Sequence, residues 1–179
     1  MSTKPIILAL GNGMCGDDAA GPVVAAELAR TFGDAVVVAY SEAPLWDLVA
    51  SGARGGLVAI IDAAEAAPAF PVGRWKRIAY PREAGKLAEV KLRDTHTLSV
   101  ESLLRFGEAL GRRWPRMWIY AVAGRRLGLG ESPSPGVLRT VPILVRRIEA
   151  DIRRWMGLEP YPTSELIQHD HDTVKADSN

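Results

Sequence analysis

Residues 6–10 (IILAL), 57–61 (LVAII) and 117–122 (MWIYAV) are unbroken apolar runs of strand length, with no polar position left to face water. Strands of this kind must be covered on both sides, and parallel sheets lying between two helix layers are where they occur. Residues 35–40 (AVVVAY) repeat the pattern. Between the runs, apolar residues recur at helical spacing: Val24, Leu28 and Phe32 within 21–32, and Val100, Leu103, Leu104 and Leu110 within 97–110. A last helix is predicted over 135–156, with Val137, Val141, Leu144, Val145, Ile148, Ile152 and Trp155 on one stripe; Pro142 should bend or split it. A short amphipathic helix is predicted over 45–51. Residues 73–80 (GRWKRIAY) alternate instead, as a half-exposed edge strand does, so the sheet should be mixed. The expected fold is α/β, with three layers: a five-stranded, mostly parallel mixed sheet and helices on both faces. Residues 1–159 are read as a single domain and 160–179, which contain His169-Asp170-His171-Asp172, as a polar, poorly ordered tail.

The chain has 179 residues with 47% apolar and 24% charged side chains and a formal net charge of +1. That balance argues against disorder, a nucleic-acid partner and a membrane-surface role. Cys15 is the single cysteine, which excludes an internal disulfide framework and fits a reducing compartment. No stretch has the length of a bilayer span or a signal-peptide core, and the cytoplasm is the expected compartment. A monomer is expected.

The loop after the first strand, residues 8–21 (LALGNGMCGDDAAG), poses a chemical question. Gly11, Gly13 and Gly16 spell the G-x-G-x-x-G of a dinucleotide-binding turn. Asp17 and Asp18 follow at once, where a pyrophosphate would need bare amides. In an open α/β sheet, ligands sit beyond the carboxyl ends of the parallel strands. Asp17 and Asp18 follow the first strand, Ser41 and Glu42 the second and Asp62 the third, while His96 stands just ahead of a helix. Two carboxylates and an imidazole suit a divalent ion such as zinc or nickel, with positions left open for substrate. Each residue also has a plainer role available: Asp17 or Asp18 as a helix cap, Asp62 closing a turn, His96 on the surface. Cys15 reads as a small buried residue, the nucleophile role lacking a nearby histidine. A nucleotide-binding oxidoreductase, with Glu42 on a ribose hydroxyl, is the alternative that the glycine spacing supports.

Gly11-Asn12, Asp17-Asp18 and Gly21, then Asp62 after an apolar strand and His96 ahead of a helix, together resemble the maturation proteases of [NiFe] hydrogenases. The likeness runs from about residue 6 to 152 and takes in the Pro-x-Gly step at Pro71 and Gly73 and the Ser134-Pro135 pair. It implies an endopeptidase that removes a C-terminal extension from the hydrogenase large-subunit precursor once nickel is inserted. By position it implies Asp18, Asp62 and His96 as metal ligands engaging the nickel that the precursor carries. The resemblance does not specify the hydrolytic step; attack by water on a metal-polarised carbonyl, with an acid such as Asp17 or Asp18 moving the proton, is the chemistry expected here. A binder of a metallated partner that does not cut it is the other reading of the same fold. Two departures stand out. Ala9 replaces a glycine found in many members, and 40–43 (YSEA) replaces an Asp-Gly-Gly-Thr-like loop. Pro44 should make that loop stiffer and Trp46 offers an apolar anchor that reads the partner by packing, the other reading of Trp46 being a core residue at the start of the 45–51 helix.

Overall fold

The computed structural model describes residues 4–40, 56–92, 100–112 and 114–158. The predicted helix over 45–51 and the 160–179 tail lie outside them, as do Ser41, Glu42, Trp46 and His96.

The apolar runs form one five-stranded sheet: β1 (Ile6–Ala9), β2 (Val37–Ala39), β3 (Leu57–Glu65), β4 (Trp75–Tyr80) and β5 (Arg116–Gly124), in the order β2-β1-β3-β5-β4. All neighbours are parallel except β4, which runs antiparallel to β5 at the edge. The alternating segment is therefore the antiparallel edge strand, and the sheet is mixed as its pattern requires.

Helices cover both faces. Alternate strand residues Ile7, Ala9, Ala59, Ile61, Tyr120 and Val122 pack under α1 (Ala20–Phe32) and the long C-terminal α3 (Pro135–Met156). The opposite set, Leu8, Leu10, Val58, Ile60 and Ile119, packs with Val100, Leu103 and Leu104 of α2 (Val100–Ala109). Burial on two faces accounts for the unbroken apolar runs 6–10, 57–61 and 117–122 within β1, β3 and β5. No helix among the described residues is long and apolar enough to cross a membrane.

Four local expectations need correction. The second apolar run pairs on one side only, and Val37 is 46% exposed at the sheet edge; composition alone does not separate a central strand from an apolar edge. β3 does not end at Asp62 but continues to Glu65, because β5 offers partners in register as far as Gly124. Leu110 lies beyond the end of α2 and is 54% exposed. Pro142 does not split α3. The backbone carbonyl its ring leaves without a helical donor belongs to Leu138, and both residues are exposed, so water can satisfy it.

Candidate active site at the carboxyl ends of the strands

Both carboxylates of the Asp17-Asp18 pair are fully buried, in a tight helical turn (Gly16–Ala19) that precedes α1. The turn packs against β3, and the Leu10 N–H donates to the Ile61 carbonyl at 2.9 Å, extending the β1–β3 ladder to the residue before Asp62. Asp62 is also fully buried. It is paired across the sheet with Ala121, and by strand alternation shares the face of Val58, Ile60 and Ala64.

Asp18 organises the glycine loop in front of it. Its Oδ2 accepts the Asn12 N–H at 2.8 Å. Gly11 has φ +102°, and a Cβ there would stand 2.3 Å from the Asp18 carbonyl oxygen. Gly16 has φ +55°, and a Cβ would stand 2.3 Å from the carbonyl oxygen of Arg126. Two glycines of the G-x-G-x-x-G spacing are thus required by contacts inside the protein. The loop amide of Asn12 faces a carboxylate of the chain itself, which removes the argument for a pyrophosphate at this turn.

Asp17 has a different task. Its Oδ2 accepts the N–H groups of Arg125 at 2.8 Å and Arg126 at 2.9 Å and the Ser134 hydroxyl at 2.7 Å. Its Oδ1 accepts the Ser134 N–H, and its own N–H donates to the Arg126 carbonyl at 2.6 Å. Burial raises the carboxyl pKa, but the donors from Ser134, Arg125 and Arg126 together outweigh it and hold the group below the ordinary aspartate value. Four donors on one carboxylate make a clasp joining the β1–α1 loop, the end of β5 and the start of α3. The geometry thus gives Asp17 a structural task, with both of its carboxylate oxygens engaged by donors. Gly124 permits the approach, since a Cβ there would lie 2.6 Å from Asp17 Cβ.

Ser134 precedes α3 with Pro135 in the first turn, yet its side chain makes no capping bond to the helix. Its hydroxyl goes to Asp17 instead, so the Ser-Pro step is there for the clasp. The Pro-x-Gly step has a parallel explanation: a Cβ on Gly73 would stand 2.7 Å from backbone atoms of Gly136, and the Thr140 hydroxyl donates to the Gly73 carbonyl.

His96 lies outside the described residues, but both flanks of its segment are placed. Leu92 bridges Ala64, two residues beyond Asp62, and the Glu65 N–H donates to the Lys91 carbonyl at 2.9 Å. Val100, at the start of α2, is buried in the cluster that contains Val58 and Ile60. Among the described residues no group of three His, Cys, Asp or Glu side chains is placed to hold a metal ion. Cys15 is a buried free thiol.

Sequence reasoning missed a second buried network. Asp151 of α3, 2% exposed, accepts from Arg77 of β4 at 2.7 Å, Tyr120 of β5 at 2.9 Å and Arg147 at 3.0 Å. It ties α3 to the sheet; an acid on the inner stripe of a helix with Arg147 four residues before it was the available signal.

The chain thus carries buried carboxylates on two neighbouring segments of a mixed α/β sheet, and the solved structures that match it share its fold. No protein-family model and no curated protein sequence matches the chain. The solution structure of the endopeptidase HycI from Escherichia coli matches at 22% identity and a TM-score of 0.61, over 87% of this chain and 93% of that one. The hydrogenase maturating endopeptidase HybD from E. coli matches at 15% identity and a TM-score of 0.64, over 88% and 96%. The [NiFe] hydrogenase maturation protease HybD from Thermococcus kodakarensis matches at 22% identity and a TM-score of 0.59, over 82% and 97%. The chain has the fold of the hydrogenase maturation endopeptidases.

Proposed function

We propose that the chain is an endopeptidase that removes the C-terminal extension of a [NiFe] hydrogenase large-subunit precursor after nickel insertion, with Asp18, Asp62 and His96 engaging the nickel carried by that substrate. The observation that carries the reading is the burial of Asp18 and Asp62, on segments that pack together within this fold. Carboxylates are hard oxygen ligands, and two of them on adjoining segments favour a divalent cation. The donor set fits: two carboxylates and an imidazole suit a borderline divalent ion and leave coordination positions for the precursor's own ligands. Because the ion arrives with the substrate, productive binding would depend on nickel insertion having occurred.

Within this reading the residues divide their work. Asp17 holds the loop and the start of α3 in place, so Asp18 presents its carboxylate from a fixed turn. Asp62 projects from within β3, held in register with Ala121 of β5, which gives its position little freedom. Nickel brought by the substrate would supply polarisation of the scissile carbonyl toward water, with Asp18, Asp62 and His96 holding it and an aspartate of the site moving the proton.

The test is a cleavage assay on a nickel-loaded precursor with Asp62→Ala and His96→Ala beside the parent chain, followed by intact-mass spectrometry. Both variants should remain folded by circular dichroism and release no C-terminal peptide. Unimpaired cleavage by either one would remove it from the proposed ligand set and the reading with it.

A further inference from the structure

β4 is an edge strand, and among the described residues nothing pairs along its outer side. At its start Ala123 donates to the Arg74 carbonyl at 2.8 Å and accepts from Gly73 at 2.9 Å, so alternation turns the backbone groups of Trp75, Arg77 and Ala79 away from β5. Ala79 is closed off: its N–H donates to the Glu83 carboxylate at 2.8 Å and its carbonyl accepts the Glu83 N–H at 2.7 Å. Trp75 and Arg77 are not closed in this way. They lie in a groove of about 920 Å³ that follows the strand, with α3 as one wall and the Ala84–Glu89 turn as the other. A volume near the top of the roughly 300–1,000 Å³ usual for ligand pockets accommodates a short extended peptide.

The groove is basic. Arg74 and Arg139 are exposed in its lining, and no ion pair among the described residues engages either one. Arg77 and Arg147 both engage Asp151, so among the described residues the unpaired positive charge of the groove is that of Arg74 and Arg139. Lys76 is balanced by Glu89 at 3.2 Å. Ile143, 41% exposed, adds an apolar contact on the α3 wall. Cations alone would suit any anion, but an open strand edge offers alternating donors and acceptors, which another extended backbone can match and a phosphate chain cannot.

We propose that this groove receives an extended acidic segment of a partner polypeptide, which adds to β4 as a sixth strand and places carboxylates on Arg74 and Arg139. The inference is independent of the proposed peptidase reaction, since it rests on residues of the lateral sheet edge and not on Asp18, Asp62 or His96.

The full chain is titrated with a fluorescein-labelled probe, acetyl-(Glu-Val) repeated three times as the amide, by polarisation, with amide hydrogen exchange read in parallel. Saturable binding is expected, with added protection at the Trp75 and Arg77 amides. The double variant Arg74→Glu, Arg139→Glu should bind on the order of tenfold more weakly, and its exposed substitutions should leave the circular dichroism spectrum unchanged. The same probe with lysine in place of glutamate, or with N-methyl groups on alternate amides, should not bind. Any one of four results would overturn the proposal: no saturation up to millimolar probe, equal binding by the charge-reversed variant, equal binding of the N-methylated probe, or displacement of the probe by a mixed-sequence single-stranded oligonucleotide that binds more tightly. Amides of Trp75 and Arg77 already protected to the core level in the free chain would also overturn it, by showing the edge covered from within.

Discussion

Removing the Asp17 carboxylate tests the clasp most sharply. In Asp17→Ala four donors lose their acceptor: the amides of Arg125 and Arg126, which are partly buried, and the amide and hydroxyl of Ser134, which are buried. Water can reach the first two, whereas each stranded buried donor costs about 1–3 kcal/mol. The expected loss is therefore about 2–6 kcal/mol, a large part of the roughly 5–15 kcal/mol that holds a domain of this size together. Asp17→Asn discriminates further. An asparagine oxygen in the place of Oδ2 keeps three donors, but its amide then faces the Ser134 N–H, donor against donor, so about 2–4 kcal/mol should be lost. Ser134→Ala gives up only the hydroxyl bond at 2.7 Å and should lose about 1–2 kcal/mol. The assay is urea unfolding followed by tryptophan fluorescence. A ranking with Asp17→Ala the most damaging, Asp17→Asn next and Ser134→Ala the mildest is the signature of the clasp. Asp17→Asn within about 0.5 kcal/mol of the parent, the ordinary range for a surface substitution, would refute the reasoning.

Gly124→Ala should weaken the same clasp without touching a polar group, because its Cβ would stand 2.6 Å from Asp17 Cβ; a loss of about 1–3 kcal/mol in the same urea assay is expected, and a neutral result would show that the loop yields freely. Asp151→Ala removes the acceptor that Arg77 and Arg147 share and should cost about 3–5 kcal/mol by thermal or chemical unfolding. Burial, then the neighbouring Asp151, raise the Tyr120 phenol well above its ordinary value, so its contribution to stability is whole below about pH 10 and is shed as the pH climbs through the folded-state value. Tyr120→Phe should flatten that alkaline limb in unfolding curves measured across it. Cys15→Ser should retain most cleavage activity if the proposed metal-assisted reaction holds, since no thiolate is required; complete loss in a folded variant would point to a cysteine nucleophile.

The sheet was legible because its strands carry one property along their whole length. Continuous apolar runs report burial on two faces, and the polar-apolar alternation of 75–80 reports one. What the runs could not show was rank within the sheet: 37–39 are as apolar as 57–61, yet they pair on one side only. Strand ends were harder still, because Ala63 and Ala64 have weak β-propensity and continue β3 only by virtue of their register with Val122 and Ala123. At the site, adjacent aspartates are indistinguishable in sequence. They separate in space because the turn sends Asp17 toward Arg125, Arg126 and Ser134, contacts more than a hundred residues away that no local spacing encodes. Asp151 is similar: its partners Arg77 and Tyr120 come from two strands, and only the packed fold brings them to one carboxylate.

Under the proposed function, cleavage is conditional on the metal the substrate carries. Purified chain is incubated with two preparations of the same large-subunit precursor, one nickel-loaded and one nickel-free, and the intact mass of each precursor is followed over time. Loss of a single C-terminal peptide from the loaded precursor and an unchanged mass for the nickel-free one are expected. Equal rates of trimming on both, or no trimming of a correctly loaded precursor, would contradict that function.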